Sequence, residues 1–261
     1  MKPLDTGIVV PTLGTRSEYL LQSLQSIRAA GDTRIHIVMP VSATLPGTIT
    51  PDLYDEVIAD PGLGLSTAIH VGLTSFPADV KFMNWLGDDD LLKEGSLEHT
   101  SRVLRSSEKY LLVFGRCQYI NAKSQTIFIN RSGRLTIPLM RFGPQLVPQP
   151  GALFRRASYE KIGGLRSDLK WAFDLDLLIR LARAGHAKFV PEILGTFRWH
   201  DDSLSVGGRD GSVNEASSVR KQFLPRALQP VSELWEYPMR KVTILAGKRV
   251  SKRGISRHIS S

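Results

Sequence analysis

The stretch Trp85-Leu86-Gly87-Asp88-Asp89-Asp90 ends an apolar run, Val80 to Leu86, on three consecutive carboxylates. The run reads as a buried strand, and the acids stand where that strand stops. Adjacent acids repel one another, so such a cluster is kept where it binds a cation, caps a helix or lies in water. At the carboxyl end of a strand in an open α/β sheet, a metal held by carboxylates can in turn hold a phosphorylated ligand.

The chain on either side supports a strand in that setting. Gly7 to Pro11 is a short apolar strand, Thr12 to Arg16 a polar turn, and Leu20, Leu21, Leu24 and Ile27 are the apolar positions of a helix closed by Gly31. Arg34 to Met39 and Glu56 to Ala59 are the next strands. The latter ends at Asp60-Pro61-Gly62, after which Ser66 can cap a helix carrying Ala68, Ile69, Gly72 and Leu73 on one face. This alternation predicts an α/β domain with a mostly parallel central sheet flanked by helices. Beyond the acids we expect a helix over Gly95–Ser106, a strand over Tyr110–Gly115 and a hairpin-like region from Tyr119 to Leu139. A Pro- and Gly-bearing loop follows, then a short helix over Arg155–Ile162. An amphipathic helix over Asp174–Ala184 and a strand over Ile193–Trp199 complete the pattern.

With 261 residues, 42% hydrophobic and 23% charged, the chain suits one large domain with an appendage. No apolar run approaches the roughly 18 to 20 residues that span a bilayer, and the N-terminus lacks a secretory pattern, so a cytoplasmic protein is expected. The lone Cys117 excludes an internal disulfide and a cysteine zinc site, and it follows an apolar run as a small packing residue. From Val206 onward eleven Lys and Arg face four Asp and Glu, so that segment carries +7 of the net +9. We therefore divide the chain into a domain over residues 1–205 and a basic C-terminal extension, 206–261, which is helical and membrane-associating or partly disordered. Leu234, Trp235 and Tyr237 beside Arg240 and Lys241 suit a helix lying on an anionic membrane; a solvated end is the plainer reading. No nucleic-acid module accompanies the charge. The absence of G-x-G-x-x-G after the first strand, and of G-x-x-x-x-G-K-[ST], disfavours dinucleotide and P-loop enzymes.

Five segments in order resemble the family-two glycosyltransferases, which have the GT-A fold and use nucleotide-sugar donors. They are Val9 to Arg16, Gly64 to Gly72, Trp85 to Asp90, Phe173 to Leu181 and Phe197 to Ser205, spanning about residues 7 to 205. The resemblance implies an inverting transfer from a nucleotide-diphosphate sugar to an acceptor hydroxyl, with Mn2+ or Mg2+ neutralising the diphosphate. Asp88, Asp89 and Asp90 stand in the metal position, with Asp88 and Asp90 favoured, Asp89 also in the site, and one of the three free to cap the following turn. Gly87 stands where the family often has an acid or Asn. Asp174 matches the general base at the start of a helix, or is a cap; Asp176 follows two residues on, and Phe173 replaces the usual preceding acid. Pro11, Thr12 and Arg16 match nucleotide contacts. Asp60 matches a base or ribose contact or is a turn former, His70 stands where Asn is common in the donor site, and His200 matches a histidine near metal or diphosphate. Gln149 to Arg155 and Trp171 line up with the acceptor side, although Trp171 equally suits the core. The setting implied is bacterial surface polysaccharide or lipopolysaccharide synthesis, with a carbohydrate or lipid-linked acceptor at the inner face of the membrane. A nucleotidyltransferase and an inactive sugar-nucleotide-binding module are the alternatives.

Overall fold

The computed structural model describes residues 4–140, 142–143, 147–200 and 209–256. The N-terminal half comprises β1 (Thr6–Pro11), α1 (Ser17–Ala30), β2 (Arg34–Met39), β3 (Glu56–Ala59), α2 (Leu65–Thr74), β4 (Phe82–Trp85), the two-residue β5 (Leu91–Leu92) and α3 (Ser96–Arg105). Then come β6 (Tyr110–Ile120), β7 (Thr126–Ile129), α4 (Thr136–Leu139), β8 (Leu153–Arg155), α5 (Arg156–Lys161), α6 (Phe173–Ala184) and β9 (His186–Arg198). Two further helices, α7 (Arg209–Phe223) and α8 (Glu233–Ser256), follow. The boundary expected at residues 205 and 206 lies outside the described residues.

The strands form one sheet in the order β3-β2-β1-β4-β8-β6-β9-β5, with β7 beside β6. Its β3-β2-β1-β4 half is parallel, as the strand and helix alternation implies. Beyond β4 the sheet is mixed, because β8 enters antiparallel between β4 and β6, while β6 and β9 run parallel. Strand alternation divides the core into two apolar layers. Ile8, Val10, Ile35, Ile37 and Phe82 face α1 and α3, whereas Val9, Val38, Met83 and Trp85 face α2 and α6. Val219 of α7 belongs to the second layer and is fully buried, with Phe223 packed against it, so the C-terminal segment contributes to the core.

Two strands run further than expected, and one short strand was not expected. β6 runs on from Gly115 to Ile120, and β9 begins at His186 rather than near Ile193. Both are explained by the register slip that pairs Phe114 with Phe189 and Arg116 with Ile193, leaving Val190, Pro191 and Glu192 opposite Gly115. Pro191 has no N–H for the ladder and is accommodated in that bulge. The two-residue β5 is too short to register as a pattern.

One close approach sets the distance of α2 from the sheet. A Cβ on Gly72 would lie 2.6 Å from Val38 Cγ2 and 2.7 Å from Val9 Cγ1. Gly72→Ala is therefore expected to lower stability by about 1–3 kcal/mol through overpacking, read as a lower urea midpoint at unchanged slope.

Candidate active site

A cavity of about 470 Å³ opens where β1, β4 and β9 end and α6 begins. Pro11, Arg16, Gly87, Asp88, Asp89, Asp90 and Asp174 all line it, so the two acidic motifs, far apart in sequence, meet on one wall. Trp171, Trp199, Tyr119 and Phe197 supply an aromatic side, and Ser212, Ala216 and Thr243 reach it from α7 and α8.

The acids are held by a network drawn from several elements. The Thr12 hydroxyl donates to Asp88 Oδ2 at 2.6 Å and itself receives the Gly14 N–H at 3.0 Å. Arg16 donates through Nη2 to Asp88 Oδ1 at 2.5 Å and through Nη1 to Asp89 Oδ2 at 2.7 Å. His200 Nε2 lies 2.8 Å from the same Asp89 oxygen. Asp90 turns the other way, where its Oδ1 accepts the Arg198 backbone N–H at 2.9 Å. Gly87 suits this arrangement, since a Cβ there would sit 2.8 Å from Asp89 Oδ1.

These partners split the acids electrostatically. Burial pushes the Asp88 carboxyl above the ordinary range, opposed by Thr12 and Arg16. Burial acts on Asp89 in the same sense, but His200 and Arg16 together outweigh it and hold that carboxyl low. Burial and the neighbouring Asp89 charge raise Asp90 well above the carboxylate range. Tyr119 is likewise pushed up by burial, with Cys117, Asp90 and Asp174 adding to the effect.

The other residues singled out in the sequence divide between wall and support. Asp174 lies on the cavity wall, its Oδ1 accepting the Leu175 N–H at 2.7 Å. Asp176 is buried on the far side of α6, where Arg180 donates to its Oδ2 at 2.7 Å. His70 does not line the cavity; its Nδ1 lies 2.6 Å from the Tyr159 hydroxyl. Asp60 also stands off the wall, its Oδ1 accepting the Gly62 N–H at 2.8 Å in a turn. Gln149 ties its loop to the end of β4 by donating to the Trp85 carbonyl at 2.6 Å. Cys117 is buried and its thiol is pushed up by burial, in keeping with a packing role.

Two residues were not anticipated. Arg198 is 1% exposed and its guanidinium binds the Asp89 carbonyl at 2.9 Å, Ser124 Oγ at 2.9 Å and Gln22 Oε1 at 2.8 Å, lying 4.3 Å from the Tyr19 ring centre. A charged residue inside the otherwise apolar run ending β9 was the available signal. Glu215 of α7 is the second; nothing in its local sequence marks it.

The donor chemistry can be tested against a divalent ion. Among the described residues no three His, Cys, Asp or Glu side chains form a ready metal-holding cluster. Asp88 Oδ1 and Asp89 Oδ2 nevertheless converge on a single cation, the Arg16 guanidinium. Two carboxylates are as many as Mg2+ needs from a protein when phosphates complete its shell, so Asp88 and Asp89 match it in donor type and number, with Arg16 as their present cation.

Solved structures share this fold. The chain matches the 1–349 fragment of S. aureus TarS with a TM-score of 0.59 at 13% identity, covering 91% of this chain and 72% of that one. The same fragment in complex with UDP-GlcNAc matches with a TM-score of 0.58 at 12% identity, over 86% and 69%. The mannosyltransferase PcManGT from Pyrobaculum calidifontis, in complex with GDP-Man and Mn2+, matches with a TM-score of 0.64 at 15% identity, over 94% and 75%. No protein-family model and no curated protein sequence matches the chain. The chain has the α/β fold of GT-A-type glycosyltransferases.

Two outcomes follow for the supporting residues. Arg198→Lys keeps the charge but not the planar fork, and should lower stability by about 1.5–3 kcal/mol in denaturant unfolding. Burial lowers the pKa of His70 below its ordinary 6.5, so the unfolded chain binds that proton more readily. Its contribution to stability is present above about pH 6.5 and declines as the pH falls below it. His70→Gln should flatten that decline in thermal unfolding scans between about pH 7 and 5.

Proposed function

We propose that this chain is an inverting glycosyltransferase moving a sugar from a nucleotide-diphosphate donor to an acceptor hydroxyl. The observation that carries the reading is that Asp174 and the Asp88–Asp90 cluster line one cavity with an aromatic side. In this reading the acceptor oxygen attacks the anomeric carbon as the bond from that carbon to the diphosphate breaks. The electron pair leaves with the nucleotide diphosphate, and Asp174 takes the acceptor proton. Arg16 neutralises charge on the diphosphate side, and Pro11 and Thr12 border the nucleotide. Asp88 and Asp89 would hold Mn2+ or Mg2+, which would supply positive charge to the departing diphosphate. Trp171, Trp199, Tyr119 and Phe197 offer faces on which a sugar acceptor stacks. The fold shared with nucleotide-sugar complexes of TarS and PcManGT supports the same class.

The C-terminal helix supports a peripheral membrane setting, as surface polysaccharide synthesis on a lipid-linked acceptor would require. No described helix is long and apolar enough to cross a membrane. On α8, however, Leu234, Tyr237, Val242 and Leu245 are exposed, and Lys241 and Arg249 are exposed among them.

Thermal stabilisation by a panel of nucleotide sugars with Mn2+ should single out one donor. With that donor, Asp174→Asn should keep binding and lower turnover by about 10²- to 10⁴-fold; near-normal turnover would remove Asp174 as the base. Binding retained without any turnover in the unaltered chain would point to a non-catalytic module. Leu234→Glu with Leu245→Glu should weaken sedimentation with phosphatidylglycerol vesicles, and undiminished binding would rule out that face as the membrane contact.

A further inference from the structure

Glu215, half-buried on α7, accepts three successive backbone N–H groups from the loop that leads into α6. The Lys170 N–H reaches Oε1 at 3.0 Å, and the Trp171 and Ala172 N–H groups reach Oε2 at 2.7 and 2.6 Å. Ala172 is the residue that caps α6, so this carboxylate stands at the positive end of the helix whose first turn carries Asp174. A charge-assisted bond contributes more than a neutral one, and three on consecutive amides leave the loop little freedom.

Other contacts make α7 part of the same assembly. A Cβ on Gly211 would lie 2.7 Å from the Trp171 indole, so the helix abuts that cavity residue directly. Arg166 of the preceding loop donates to Gln222 at 2.9 Å, and Val219 anchors α7 in the core. Arg220 and Glu236 then join α7 to α8 by a buried pair at 2.9 and 2.8 Å, which holds Thr243 at the cavity wall.

We infer that Glu215 is a positioning residue for the transfer reaction: it fixes the Lys170–Ala172 loop, and through it the placement of Trp171 and Asp174 in the cavity. The inference rests on the glycosyltransferase reading only for its kinetic consequence. The C-terminal helices thereby complete the acceptor end of the site.

The test compares Glu215→Ala and Glu215→Gln with the unaltered full chain. In Glu215→Ala, amide hydrogen exchange at residues 170–172 should rise by about tenfold or more, because these amides lose a shared acceptor. Affinity for UDP or GDP with Mn2+ should stay within about twofold, whereas donor turnover should fall by about 10- to 100-fold, the scale of a small misplacement. Glu215→Gln keeps the side-chain shape and one accepting oxygen, so it should recover part of both losses. Unchanged exchange at 170–172, or raised exchange with turnover intact, would overturn the inference. So would an equal loss of nucleotide affinity and turnover. If the unaltered chain turns over no nucleotide sugar, the glycosyltransferase reading fails, and the exchange measurement still decides whether Glu215 orders the loop.

Discussion

Three carboxylates in sequence at the end of a buried strand are the constraint to which the surrounding elements answer. Two like charges about 4 Å apart repel by on the order of 4 kcal/mol at an effective dielectric constant of 20, more than one ordinary hydrogen bond returns. The protein meets this by giving the acids different partners. Arg16, from the turn after β1, spans Asp88 and Asp89; His200, just past β9, shares Asp89; and the backbone of Arg198 takes Asp90. The ends of β1, β4 and β9 are thus pinned together by charge. Arg198 is itself hydrogen-bonded through its guanidinium to neutral oxygens behind them.

Much of this could be read from residue patterns. The parallel β3-β2-β1-β4 half, the helices between its strands and the amphipathic α6 appear as apolar periodicities with turn residues at their ends. What could not be read depends on pairings distant in sequence. The antiparallel entry of β8 is three residues long, and the bulge at Pro191 becomes intelligible only once β9 is laid beside β6. Within the site, the motifs indicated Asp88 to Asp90, Arg16, His200 and Asp174 as a group, and the structure brings all of them to the cavity or its border. His70 lies against the Tyr159 hydroxyl and Asp60 in a turn, both off the cavity wall, a placement that neighbouring residues in sequence do not reveal.

The Asp-Leu-Asp pattern at the start of α6 illustrates how geometry separates residues of the same type. Two positions on a helix differ by about 200° around its axis, so both carboxylates cannot face the cavity. Asp174 takes the wall, while Asp176 is 1% exposed and paired with Arg180 one turn on. Burying Asp176 with a cation anchors the helix from behind. Asp174 stays on the cavity wall, a division between the two carboxylates that spacing alone implies but cannot assign.

Net charge describes the C-terminal segment less well than pairing does. Arg220 is buried against Glu236, joining α7 to α8, and Arg240 is paired with Glu233 at the helix surface, so part of the basic excess is offset by local acids. Its acids matter as much as its bases, because Glu215 reaches back to three amides of the domain before it. A composition boundary near residue 206 marks a change in charge, whereas Val219 in the core and Thr243 at the cavity show packing that crosses it. The segment thus carries exposed apolar side chains on α8 and, through Glu215 on α7 and Thr243 on α8, contacts to the cavity.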